Sequence, residues 1–286
     1  MPAGRHFRGS RAKKTSVFFR ITGLLALAVL ATGCDGVVSR GGWPEPITEQ
    51  GDKVMGVWRG SMITAACVGV FVIGLILWSC IAFRRRGNDE LPRQVRYNLP
   101  IEVLYTVVPV ILVAVLFYFT ALRENDQDKF SAHPDVNINV VGFQWAWQFN
   151  YLDDGLSITG RPGHYPQLVL PVGETVRFYQ TSPDVIHAFW VIPFLFKRDV
   201  VPGHPNSFEV TLTHTGTFKG KCTELCGVDH DRMLFTLKVV SQTDYEKWLS
   251  DTKAVAAANQ DSRFNVYTGP GPSSFLQGPN TQRSHQ

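Results

Sequence analysis

Two apolar runs, residues 60–83 and 101–122, stand in the first half of this 286-residue chain, and each reaches the roughly 20 residues that a helix needs to cross a hydrocarbon core. In lipid a backbone must satisfy its own hydrogen bonds, so two isolated runs of this length predict a pair of spanning helices. Their connection carries Arg84, Arg85, Arg86, Arg93 and Arg96. A short arginine-rich loop is held on the cytoplasmic side. Both outer ends of the hairpin, and the whole chain beyond Leu122, therefore belong on the opposite side.

The N-terminus agrees with that orientation. Arg5, Arg8, Arg11, Lys13, Lys14 and Arg20 precede an apolar stretch over residues 21–30, which closes with Ala31, Thr32, Gly33 and Cys34. This reads as a secretory signal peptide, residues 1–33. The small residues before Cys34 suggest a lipoprotein cleavage site with Cys34 as the lipidated first residue, although Ala31 stands where a branched residue is usual. An extracytoplasmic segment follows over 34–53, then the transmembrane hairpin over 54–122 with its cytoplasmic loop at 84–100.

Beyond the hairpin the pattern changes to short β-rich runs, at 136–141, 143–151, 167–170, 175–180, 207–212 and 234–240, punctuated by Gly and Pro. Such runs predict an all-β Greek-key sandwich over 123–258. A helix is expected from Thr243, as cap, to about Ala258, and residues 259–286 are too polar to build a core and read as a flexible tail. Residues 123–286 carry 14 basic and 17 acidic side chains. That weak negative balance permits steering of a basic partner without requiring it, and no nucleic-acid partner is expected.

Chemistry concentrates in one loop: Cys222, Glu224, Cys226, His230 and Met233 lie within twelve residues. Thiolates, imidazole and thioether are ligand types that suit copper rather than magnesium, calcium or manganese, and His187 upstream offers a second imidazole. A blue-copper ion takes one Cys, two His and one Met, which leaves one thiolate over unless both sulfurs bridge a pair of coppers. Zinc and a simple disulfide are the alternatives. Zinc has no use for Met233. The remaining cysteines are Cys34 and, inside the first span, Cys67 and Cys80, which read as small apolar residues.

The loop resembles the binuclear CuA site of cytochrome c oxidase subunit II, pattern C-x-E-x-C-G-x-x-H-x-x-M, at every fixed position. The stretch from Thr181 to Trp190 resembles the family segment that supplies the other histidine, His187. The resemblance implies a two-helix hairpin followed by a cupredoxin-like sandwich. It further implies that Cys222 and Cys226 bridge the coppers and that His187 and His230 cap one each. Met233 is then a weak axial ligand, and Glu224 gives its carbonyl to copper and its side chain to a magnesium shared with subunit I.

Other segments extend the resemblance over about residues 54–258. Gly142, Gln144, Trp145 and Trp147 match a G-x-Q-W-x-W segment, which implies Trp145 as the point where electrons enter from a donor. Ala146 stands where many of the family carry tyrosine, a departure that bears on the docking surface. On a strand, Phe143, Trp145, Trp147, Phe149 and Tyr151 would share one face, as a sandwich core does. Leu99 to Val103 is similar to the family's second-helix start, and Glu102 there maps to the entrance of a proton pathway. An ionisable residue at that depth is costly and marks function, or reaches back to water. Lys197 to Gly203 resembles the K-x-D-x-x-P-G loop that contacts subunit I.

The function implied is the electron inlet of cytochrome c oxidase in a bacterial cytoplasmic membrane. The partners would be subunit I, other oxidase subunits and a soluble or membrane-bound cytochrome c; oxygen reduction and its coupled proton pumping would occur in subunit I. No C-x-x-C-H haem attachment is present, so the donor is a separate protein. The alternatives are a membrane-anchored copper carrier, which would need only a tether, a zinc-binding structural module, and nitrous oxide reductase, whose propeller domain has no room here.

Overall fold

The computed structural model describes residues 36, 39–84, 87, 94–258 and 261–266; the signal segment and Cys34 lie outside them. The described part of residues 36–44 is a turn, in which Arg40 N–H donates to the Gly36 carbonyl at 3.1 Å. The described residues from Glu45 onward form one compact unit.

Two long helices open that unit, α1 over Glu49–Ala82 and α2 over Leu99–Gln127. Both expose apolar side chains nearly all round, as a membrane span does. Each starts on a side-chain cap: Thr48 Oγ1 accepts from Gly51 N–H at 2.9 Å, and Asn98 Oδ1 from Ile101 N–H at 3.5 Å. The helices extend beyond the apolar runs. The first turns of α1 are packed away from solvent at Gly51 and Met55. Gly51 permits this close approach, since a Cβ there would lie 2.9 Å from Thr48 Oγ1 and 3.1 Å from the Phe194 carbonyl oxygen.

Among the described residues eleven strands follow: β1 Val136–Phe143, β2 Ala146–Tyr151, β3 Leu156–Thr159, β4 Gln167–Pro171, β5 Thr175–Thr181, β6 His187–Val191, β7 Arg198–Val200, β8 Asn206–Thr211, β9 Gly216–Cys222, β10 Leu234–Val240 and β11 Phe264–Val266. Helix α3, Gln242–Ala257, separates the last two. One sheet has the order β11-β3-β2-β1-β5-β8 and the other β4-β10-β9-β6-β7. The pairs β1·β5 and β4·β10 are parallel and the rest antiparallel, so the chain crosses between sheets as a cupredoxin-like sandwich requires. The expected hairpin followed by a sandwich is what forms.

Aromatic rings fill the space between the sheets. Phe189 of β6 stacks on Phe235 of β10 at 4.9 Å and meets Trp147, Phe178 and Phe208 from the facing sheet within 6.2 Å. Gly220 makes room for that stack: a Cβ there would fall 2.1 Å from the Phe235 ring.

The structure departs from sequence expectation in several places. The run 143–151 is two strands, because the chain reverses at Gln144 and Trp145, with Phe143 opposite Ala146. Trp147, Phe149 and Tyr151 are fully buried, whereas Phe143 and Trp145 are only partly covered, so the five do not share one face. Ala146 is 3% exposed, so the departure from tyrosine falls in the interior rather than on the surface. Ser241, not Thr243, caps α3, accepting from Asp244 N–H at 3.2 Å. Within the expected tail, Phe264–Val266 pairs with β3 as an edge strand. Strands β3, β6, β7 and β9 are additional to the expected runs: β3 is only four residues long, although Leu156 and Ile158 alternate with Ser157 and Thr159, and β7 only three.

Candidate metal centre

β6 and β9 are antiparallel neighbours with Phe189 opposite Cys222. Alternation puts His187 on the same face as Phe189, and the imidazole is fully buried. The ligand loop leaves from Cys222 and returns at Met233, where Cys222 N–H donates to the Met233 carbonyl at 3.0 Å and clamps its two ends together. A 3-10 turn over His230–Arg232 brings His230 back under the loop.

The donor atoms converge. The two sulfurs lie 3.9 Å apart. Cys222 Sγ is 3.9 Å from His187 Nδ1 and 3.3 Å from the Glu224 carbonyl oxygen. Cys226 Sγ is 3.5 Å from His230 Nδ1 and 3.9 Å from Met233 Sδ. Each thiol thus has its own imidazole, and both cysteines are free and buried, not joined in a disulfide. His187, Cys222 and Cys226 present ligand atoms within 4.8 Å of one another. A soft donor set this compact, with the thioether of Met233 wholly buried beside it, fits copper.

Two residues that sequence reasoning left without a role support the ligands. Asp184 Oδ1 sits 2.9 Å from His187 Nε2, and Asp184 Oδ2 accepts Gln144 N–H at 2.7 Å. Gln144 Nε2 in turn donates to the Cys226 carbonyl at 2.8 Å. A carboxylate three residues before the ligand histidine was the available sign of the first; the second is a fixed position of the G-x-Q-W-x-W segment, which gave it no role. Trp145 Nε1 also donates to the Cys226 carbonyl, at 3.2 Å, and Trp147 Nε1 to that of Met233 at 3.3 Å. Gly227, at φ +124°, lies under Trp145, and a Cβ there would come 3.0 Å from the indole nitrogen.

The pocket separates its two thiols electrostatically. Burial raises Cys222, but the His187 imidazole and the backbone of Ala188 and Glu224 outweigh it and hold the thiol at about 7. Burial and the neighbouring Cys222 charge push Cys226 up to about 12. Burial lowers His187, yet Cys222 and Asp184 hold it above its ordinary value. In the metal-free protein with Cys34, Cys67 and Cys80 replaced by alanine, thiolate absorbance is therefore expected to rise by one group with a midpoint near 7 and by the second only in strong alkali. Two thiols titrating together near the ordinary ~8.5 would refute this coupling. Because metal uptake requires deprotonated ligands, copper loading should weaken as pH falls through about 7.

The other expected site residues lie apart from this cluster or at its rim. The Glu224 side chain is half-exposed and 3.8 Å from Lys197 Nζ. Arg198 of β7 donates to Asp128 just past α2, at 2.6 Å. Glu102 is in the first turns of α2, where its carboxylate accepts Asn98 N–H at 2.9 Å and so closes the helix start.

A family model described as cytochrome c oxidase subunit II, periplasmic domain, matches residues 164–240, and one for the transmembrane domain of the same subunit matches residues 46–122. A probable cytochrome c oxidase subunit 2 of Streptomyces avermitilis is 46% identical, covering 87% of this chain and 91% of the relative. Cytochrome c oxidase subunit 2 of Mycobacterium tuberculosis is 34% identical over 82% of this chain and 83% of its own. The crystal structure of the periplasmic domain of subunit II (CoxB) of Bradyrhizobium japonicum is 32% identical, covering 44% of this chain and 98% of that one, with a TM-score of 0.40. Two apolar helices and a periplasmic-domain match describe a membrane protein with an extracytoplasmic domain. Matches to both domains of one subunit, and likeness over most of the length of its relatives, mean that the chain belongs to the cytochrome c oxidase subunit II family.

Proposed function

We propose that this chain is the electron inlet of a cytochrome c oxidase in a bacterial cytoplasmic membrane. It would accept electrons from a cytochrome c and pass them to the haem–copper subunit I, where oxygen is reduced with coupled proton pumping. The observation that carries this reading is the pairing of each buried thiol with its own imidazole, the sulfurs 3.9 Å apart. A single tetrahedral zinc would be satisfied by four of these donors and leave Met233 and the Glu224 carbonyl without a use.

When bound, a pair of copper ions would supply one-electron transfer with little bond rearrangement. Cys222, Cys226, His187 and His230 would hold it, and Met233 and the Glu224 carbonyl would complete the donor set. Asp184 holds the far nitrogen of His187 and so fixes its tautomer and ring orientation. The Glu224 carboxylate is a hard-ion ligand suited to a magnesium held jointly with subunit I. Leu225 and Val228, 80% and 88% exposed, flank Cys226 and Gly227. With Ile186 they give the loop an apolar outer surface for a docking donor. Trp145, hydrogen-bonded to the Cys226 carbonyl, is where electrons would enter.

Copper content and electron paramagnetic resonance of the purified chain test the reading. Two coppers per chain, with hyperfine splitting from one electron shared by both, are expected; one blue copper or zinc alone would replace it. Glu102 is proposed as the entrance of a proton pathway into subunit I. Glu102→Ala is then expected to slow proton uptake and turnover while the copper spectrum stays unchanged, because copper loop and Glu102 belong to opposite ends of the span. Unaltered proton uptake would leave the carboxylate with its helix-capping bond alone.

A further inference from the structure

Between the outer halves of α1 and α2 lies a cleft of about 610 Å³, walled by Lys53, Gly56 and Gly60 on one helix and Leu116, Phe119 and Arg123 on the other. Its depth follows from the sequence. The apolar runs begin at Gly60 and end at Leu122, so Gly60, Leu116 and Phe119 stand at hydrocarbon level, and Lys53 and Arg123 at headgroup level. The cleft continues down to Thr64, about 16 Å along α1 from Lys53 at helical rise. The Thr64 hydroxyl donates to the Gly60 carbonyl at 2.9 Å, so the floor asks for no polar partner.

Among the described residues below the charged rim, Ser61 and Thr64 are the only hydroxyl side chains in a wall otherwise of glycine and apolar residues, so water finds few partners there. An acyl chain is narrow enough to lie along the floor of the cleft, whereas a helix from another subunit, about 10–12 Å across with its side chains, would seat only on its open side. At the rim, Asp126 is shared by three cations: Lys129 Nζ at 2.7 Å, Arg123 Nη1 at 3.1 Å and Lys53 Nζ at 4.0 Å. Counting Asp52, which also lines the cleft, the rim keeps one positive charge in excess. Lys53 and Arg123 retain hydrogen-bond donors that one carboxylate does not use up, and a guanidinium matches a phosphate with two parallel bonds.

We propose that this cleft binds one anionic phospholipid of the outer leaflet, its phosphate held between Lys53 and Arg123 and an acyl chain laid along Gly56, Gly60, Leu116 and Phe119. The site needs neither copper nor a donor and is independent of the electron-inlet reading. The test is native mass spectrometry of the assembled oxidase, extracted from membranes that contain phosphatidylglycerol and phosphatidylcholine. The wild type is expected to retain phosphatidylglycerol in preference to phosphatidylcholine. The double variant Lys53→Gln with Arg123→Gln, which removes the charge, and Gly60→Leu, which fills the groove and leaves the charge, are each expected to retain one phosphatidylglycerol fewer. Co-purification of each variant with the rest of the oxidase reports that it is folded and assembled. Equal phosphatidylglycerol retention in wild type and either variant, equal retention of the two lipids by the wild type, or a polypeptide segment seated in the cleft of the oxidase would overturn the proposal.

Discussion

Replacing Cys222 with serine is expected to abolish turnover with cytochrome c while the membrane spans stay inserted and the haem spectra of the oxidase persist. The substitution keeps the shape of the side chain but exchanges a thiol held at about 7 for a hydroxyl that stays protonated and is a hard, poor ligand for copper. Cys226 cannot compensate, since its own thiol is pushed up to about 12. It would be left with His230 and Met233, a set for at most one ion. Losing an outer partner of a metal ligand typically costs ~10–100-fold in affinity or activity, so loss of a bridging ligand should cost at least about 100-fold in oxygen consumption. The shared-electron resonance signal should vanish with it. Turnover near the wild-type rate would remove Cys222 from the electron path and favour a storage or structural role for the loop.

Phe189→Ala is expected to produce the largest loss of stability among single substitutions in the sandwich. The ring joins the sheets: it stacks on Phe235 within its own sheet and reaches Trp147, Phe178 and Phe208 of the other. Truncating a buried phenylalanine of this kind costs about 3–5 kcal/mol, against a total of roughly 5–15 kcal/mol for a typical domain. Denaturant unfolding of the copper-free protein, followed by tryptophan emission, should show a lower midpoint with an unchanged slope. Because His187 and Cys222 are held by the same strand pair, copper affinity should fall as well. A loss below about 1 kcal/mol, the centre of ordinary point substitutions, would mean that the surrounding rings close over the gap.

How far the fold was legible depended on local pattern. The spans were plain because bilayer thickness leaves so little choice. The runs at 136–141 and 234–240 alternate or carry β-branched residues and proved to be strands. The reversal at Gln144 and Trp145 was hidden because it lacks the Gly, Asn or Asp that usually marks a two-residue turn. β6 and β9 were hidden for another reason: His187 and Cys222 occupy positions that a hydrophobic pattern would fill. The donor set itself could be read from spacing within the loop, and His187 was available as a second imidazole upstream, but only the resemblance assigned it to the same site. Asp184 reaches His187 from only three residues away, whereas Gln144 acts on the Cys226 carbonyl through a long-range contact that a linear pattern does not carry.

The hairpin and the sandwich are joined more firmly than a covalent linker requires. Ahead of α1, Ile47 exchanges backbone bonds with Pro193 and Thr213, and Gln50 accepts from Thr211 N–H. Behind α2, Glu209 accepts from Ser131 N–H, and Asp135 N–H donates to the Thr175 carbonyl. The chain enters and leaves its lipid segment through two separate clamps on the same β5·β8 region. A carrier that shuttles charge by swinging could not be built this way. Tunnelling falls steeply with separation, so on the proposed reading a doubly moored domain would trade reach for constancy: the gap to the next redox centre would be set once, at assembly, and the mobile component would be the donor.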